Sequence, residues 1–210
     1  MADYSFESIG QGLAALITLA GVTYAAGWLK EASAADTRVI LCLTSSGATV
    51  MIVQQRTGLK LSVTKSGGSR WTTDAACLTA AAWQFVEIDV SGSTPTVKVN
   101  GTSFAVSTDA AGPGADGSQI TFGSRNSGGF TSLWTGLLGP WGLATSNLAW
   151  DGYNFVQVSD ASVWWAFYRM REGTGGTVDN AEGTAARDLT LTGTVWSLGT
   201  NLGNGWSKRT

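Results

Sequence analysis

A chain of 210 residues with a net charge of −2, 13% charged side chains and no histidine is long enough for one sizeable core. It has no basic surplus to neutralise phosphates, so nucleic acid is excluded as a partner on charge grounds. Hydrophobic residues at 43% exclude disorder, and 28 glycines against 3 prolines point to many short strands joined by tight turns.

The opening residues, MADYSFESIGQG, carry no positive charge ahead of the apolar stretch LAALITLAGVTYAAGWL (13–29). A secretory leader would want a basic segment there. The stretch is 17 residues long and broken by Gly21 and threonines, which suits two buried strands better than a membrane span. The expectation is a chain without signal peptide or transmembrane segment and with no membrane partner.

TRVILCLT (37–44) and ATVMIVQQ (48–55) read as the next strands. In GLKLSVTK (58–65), Leu59, Leu61 and Val63 face one way and Lys60, Ser62 and Thr64 the other. WQFVEIDV (83–90) alternates in the same manner. PTVKVNGTSFAV (95–106) holds Asn100-Gly101 between alternating runs, the signal for a type I′ hairpin. SQITFGS (118–124) and SLWTGLLGPWGL (132–143) follow, and Pro140, lacking an N–H, belongs at an edge or bulge. A short helix is expected over 148–157, capped by Ser146 or Asn147. The Gly-rich pieces GGSR (67–70), AAGPGADGS (110–118) and RNSGG (125–129) are connections too short to separate domains. An all-β, antiparallel two-sheet β-sandwich with at most one short helix is the result, as one domain over 1–210. Cys42 and Cys77, in the apolar settings VILCLTS and DAACLTA, are expected as buried free thiols rather than a bridge.

Five pieces in order resemble the laminin-G-like, concanavalin-A-like jelly rolls. They are GVTYAAGWLK (21–30), WQFVEIDV (83–90), VKVNGTSF (97–104), ITFGS with FTSLWTGLLGPWGLATSNL (120–148), and REGTGGTVDNAEGTAARDLTLTGTVW (171–196). The resemblance implies a jelly-roll sandwich, with the segment at about 160–200 completing it at the C-terminal side. Its known ligands can then be tried on FVEIDVSG (85–92). The laminarinase-type glucanases of this class place a third carboxylate a few residues after Glu-x-Asp, and here Ser91 and Gly92 stand there. Glu87 and Asp89 remain as a pair about 6.6–6.8 Å apart along a strand with no separate acid to protonate a leaving group. The legume-lectin metal site also opens with Glu-x-Asp, but its further ligand positions fall on Ser93, Lys98 and Ser103, and an ammonium opposes a divalent cation. Glu87 and Asp89 are therefore expected on the solvent side of their strand, opposite Val86, Ile88 and Val90.

The rest of the inventory is short. Without histidine no Ser-His-Asp or Cys-His arrangement exists, and two lone cysteines make no zinc site. Asp179, Asn180 and Glu182, or Asp116, could meet calcium, but Asp and Asn in such turns are mostly turn formers. No catalytic residue, metal or cofactor is assigned.

The unusual abundance is 10 tryptophans. Aromatic faces stack on sugar rings and also fill cores and interfaces. Trp71, after Arg70 in a Gly/Ser-rich loop, and Trp134, after another, are the expected exposed positions, with Trp206 in the terminal NGWSKRT. The resemblance assigns Trp28, Trp83, Trp141 and Trp196 to the core, and Trp164-Trp165 should place one ring on each side of the chain. Arg70, Trp71, Trp134 and Trp206 are the candidate contacts to a glycan or a partner. Because stand-alone jelly rolls of this kind occur in bacteriophage particles, the resemblance permits a non-catalytic virion role, in capsid decoration or the tail. Its partners would be other virion proteins or further copies of the chain in a homo-oligomer, placing it on the virion surface after synthesis in the host cytoplasm. The alternative is a lectin-like module binding cell-surface glycan.

Overall fold

The computed structural model describes residues 4–7, 13–15, 21–31, 37–113, 119–126, 130–132, 134–148, 164–169, 177–184, 188–191 and 195–198. The strands are β1 (Tyr4–Glu7), β2 (Leu13–Ala15), β3 (Tyr24–Lys30), β4 (Arg38–Ser45), β5 (Ala48–Arg56), β6 (Lys60–Lys65) and β7 (Ser69–Thr73). Then come β8 (Trp83–Asp89), β9 (Thr96–Val99), β10 (Thr102–Phe104), β11 (Val106–Ala111), β12 (Gln119–Phe122), β13 (Arg125–Asn126) and β14 (Phe130–Thr131). The last are β15 (Leu137–Ala144), β16 (Ala166–Tyr168), β17 (Thr177–Val178), β18 (Leu189–Leu191) and β19 (Val195–Leu198). Among the described residues there is no helix; the helix expected at 148–157 lies, from residue 149 on, outside them.

Two antiparallel sheets form the sandwich. One runs β10-β9-β8-β3-β15-β1-β19, with β16 also on β15; the other runs β11-β7-β6-β5-β4-β12-β2-β18-β17. The apolar stretch at 13–29 thus supplies β2 and β3, one to each sheet, and no described helix is long and apolar enough to cross a membrane. β1 pairs β19 from Tyr4↔Leu198 to Glu7↔Val195, so the C-terminal segment enters the same sheet as the first strand.

Asn100 and Gly101 both have positive φ (50° and 79°), as a type I′ turn requires. The Asn100 side chain adds a bond: its Oδ1 accepts from Phe85 N at 2.8 Å. The hairpin's second strand is shorter than the pattern suggested. Phe104 ends β10 in the eight-stranded sheet, Val106 starts β11 in the nine-stranded one, and Ala105 is the crossing point. Pro140 lies where the pairing of β15 with β3 shifts between Leu138 and Trp141, which is where a residue without an N–H fits a central strand.

Alternation puts Leu29, Val86, Ile88 and Leu138 against Leu41, Met51, Val53, Leu61, Val63 and Ile120 in the main core. Phe122 meets the rings of Trp141 at 5.7 Å and Tyr168 at 5.5 Å. Each such large side chain, removed from water, contributes about 1.5–3 kcal/mol. Cys42 and Cys77 are both free and buried. Burial pushes the Cys42 thiol up to about 12 and raises Cys77 as well, so neither is a nucleophile at neutral pH.

Candidate functional site

Glu87 and Asp89 do face away from the main core, but the expectation that they meet solvent is corrected for Glu87. That residue is only 6% exposed and its Oε1 accepts from the Tyr24 hydroxyl at 2.9 Å. The reason is a second apolar cluster on this outer face: Tyr24, Ala26, Phe85, Ala144, Trp164 and Phe167, with Trp28 packed beside them. Trp164 reaches it because Gly142 leaves room; a Cβ there would lie 2.4 Å from the indole ring. Asp89 spends Oδ1 on the amide (2.9 Å) and hydroxyl (2.6 Å) of Ser91 and Oδ2 on Asn147 Nδ2 (3.0 Å). Burial pushes its pKa up, but these bonds and the charge of Lys98 prevail and hold it below the ordinary value. A general acid must hold a proton at working pH, so Asp89 is unsuited to that task.

The stretch around Asn180 is a structural turn. Asn180 Oδ1 accepts from Phe167 N at 2.9 Å, its Nδ2 donates to Glu182 Oε1 at 2.7 Å, and its own N–H goes to Asp188 Oδ1 at 2.8 Å. Asn180 is 4% exposed, and these bonds satisfy it within the fold. Among the described residues no group of three or more Cys, Asp or Glu side chains is placed to hold a metal ion. Asp116 lies outside the described residues.

The tryptophans separate into distinct roles. Trp134, expected at the surface, is fully buried in the main core, which is a correction: its amide bonds Gly123 O at 2.7 Å and carries the ring inward after Ser132. Trp141 is core as expected, while Trp28 is only half-buried, against Phe85 at 5.5 Å on the outer face. Trp164 joins that second cluster and Trp165 packs on the main core, one ring to each side. Trp206 and the side chain of Trp196 lie outside the described residues.

Arg70 and Trp71 sit within β7 rather than in a loop, and strand alternation sends them to opposite faces. Trp71 pairs with Val63 and turns to the inner side, half-buried, with Lys65 Nζ 5.6 Å from its ring centroid. Lys65 also donates to the carbonyls of Gly92 and Ser93. It borders a cleft of about 260 Å³ at this end of the sandwich, together with Thr23, Thr49, Val50 and Val90.

Arg70 turns to the outer face of the nine-stranded sheet, where its Nε donates to Asp109 Oδ1 at 2.7 Å. The Thr72 hydroxyl donates to Asp109 Oδ2 at 2.6 Å. Asp109 gets there because β11 bulges between Thr108 and Ala110. Burial raises the Asp109 pKa, but the bonds from Arg70 and Thr72 and the charges of Arg70 and Arg56 outweigh it and lower it. The same face carries Gln54, Arg56, Ser62 and Thr64 by register. Ser62 and Thr64 are fully buried, and their hydroxyls and Gln54 Oε1 have no hydrogen-bond partner among the described residues. Of this group only Arg70 stands out in the sequence. Arg56, Thr72 and Asp109 belong to three strands and meet only through the order β11-β7-β6-β5.

No family model and no curated protein matches the chain. Solved structures do. A putative carbohydrate binding protein from Bacteroides ovatus ATCC 8483 matches with TM-score 0.66 and 16% identity, over 94% of this chain and 60% of that one. A heptameric SAP-like pentraxin from Limulus polyphemus matches with TM-score 0.55 and 16% identity, over 70% of this chain and 78% of that one. The CBM40 of the Ruminococcus gnavus IT-sialidase, bound to α2,3-sialyllactose, matches with TM-score 0.53 and 9% identity, over 69% and 91%. With two antiparallel sheets in this order, the chain has the concanavalin-A-like jelly-roll fold.

Proposed function

We propose that the chain is a non-catalytic glycan-binding module whose binding surface is the cluster formed by Arg56 of β5, Arg70 and Thr72 of β7 and Asp109 of β11. The observation that carries this reading is a cluster of partly exposed polar and charged groups on one sheet face: Arg56, Arg70, Thr72 and Asp109. Sugars present hydroxyl groups that such planar and hydroxyl side chains hydrogen-bond. Support also comes from similar folds, one described as a putative carbohydrate binding protein and one bound to a sialyl sugar. The non-catalytic part rests on Glu87 and Asp89, which are engaged by Tyr24, Ser91 and Asn147.

The test is a glycan array probed with the purified chain, followed by product analysis of any glycan bound. Binding without hydrolysis, abolished by Arg70→Ala, is expected. Failure to retain any glycan would sink the binding reading, and released sugar would sink the non-catalytic one.

An assembly role through protein–protein contacts is the second reading, favoured by β11, an edge strand exposed over Ser107–Ala111. Light scattering of the eluting chain at micromolar concentration tests self-association; a strict monomer would remove the homo-oligomer. The capsid or tail setting takes no support from the neighbouring folds, which favour the glycan reading over it.

A further inference from the structure

Resting on that glycan reading, we infer that the surface selects acidic glycans, with Arg56 and Arg70 jointly holding a sugar carboxylate. Among the described residues of β5, β7 and β11, two guanidinium groups share this face with one carboxylate, Asp109. Arg70 commits only Nε to it, so its two terminal nitrogens have no acceptor among the described residues. Arg56 makes no hydrogen bond or ion pair among the described residues and interacts with Asp109 and Arg70 only through space. Asp109 has no oxygen left over, since Thr72 takes Oδ2. Burial first, and then the like charge of Arg70, lower the Arg56 pKa against the opposing pull of Asp109.

A guanidinium fork with open terminal nitrogens accepts a planar oxyanion in two parallel bonds. Arg70 has a side chain 15% exposed and Asp109 one 34% exposed, so the fork is held in place yet reachable. Lys60, the next basic group along β6, is turned aside to the Asp74 carbonyl at 2.8 Å.

The experiment is calorimetric titration of the full chain with sialyl, glucuronyl and galacturonyl oligosaccharides. Each is set beside its carboxyl-reduced counterpart, and sodium sulfate serves as a bare-anion competitor. In at least one pair the acidic member binds about tenfold tighter or more, an advantage that shrinks as salt rises. Arg56→Gln and Arg70→Gln abolish the difference. Asp109→Asn, which frees Arg70, strengthens binding of the acidic member, an outcome that mere damage to the fold would not give. Equal binding within every pair overturns the acidic preference and leaves the glycan reading standing. Displacement by sulfate at the concentrations where the sugar itself binds overturns sugar recognition at the arginine pair. If neither these sugars nor the array bind, both readings fall.

Discussion

The Tyr24 hydroxyl donates to Glu87 Oε1 at 2.9 Å, tying β3 to β8 between residues 63 positions apart, on the face that looks away from the main core. Glu87 is 6% exposed, so this bond helps to offset the cost of burying a carboxylate. Tyr24→Phe removes the donor while keeping the ring against Trp164. It is expected to destabilise the chain by about 1–3 kcal/mol, read as a lower urea midpoint at unchanged slope. An unchanged midpoint would mean that Glu87 reaches water after all.

Much of the architecture is legible in the sequence because strand alternation and turn chemistry are local. WQFVEIDV became β8 and Asn100-Gly101 became the turn, with positive φ at both positions. What escaped depends on the second face of each sheet. Nothing local distinguishes Glu87 facing water from Glu87 under Tyr24, because the apolar cluster on that face, to which Tyr24 belongs, is completed by the distant Trp164 and Phe167. Trp134 departs from expectation for the same reason: Gly-rich flanks suggest a loop but do not say which way the ring turns. β11 is hard to read locally, since VSTDAA has little apolar alternation and is exposed along most of its length. Its bulge then places Asp109 beside Arg70.

Asp89 and Asp109 both have pKa values held below the ordinary 3.8 in the folded chain. Their contribution to stability is therefore fully present above that value and is lost as pH falls through the lower folded values. Urea midpoints measured from pH 6 down to pH 2 should fall on the acid side. Asp89→Asn should lower the midpoint at pH 6 and flatten that fall. A fall of undiminished steepness in the variant would remove Asp89 from the account.

Replacing Asn100 and Gly101 together by alanine places two Cβ-bearing residues at positive φ and deletes the bond to Phe85 N. A loss of about 1 kcal/mol or more is expected. Thermal melting checks it, and an unshifted transition would show that the turn does not depend on these two residues.

Gly142→Ala would drive a methyl group to 2.4 Å from the Trp164 ring. That ring is held by Tyr24 at 6.1 Å and Phe167 at 5.6 Å between centroids. A cost of about 1–3 kcal/mol follows from overpacking. Combined with Trp164→Leu the two effects should fail to add, since the smaller side chain vacates the space. Strict additivity in denaturant melts would deny the contact.

The pairing of β1 with β19 joins Tyr4 to Leu198, and β2 likewise lies between β12 and β18. Contacts this distant in sequence close late, because the loop entropy is spent before any of them forms. On the ribosome the first two strands must wait for nearly the whole chain to emerge before all their neighbours exist. Refolding should accordingly be slow for a chain of this size, and the sequence Leu13–Ala15 is a segment for a chaperone to shield while synthesis is unfinished.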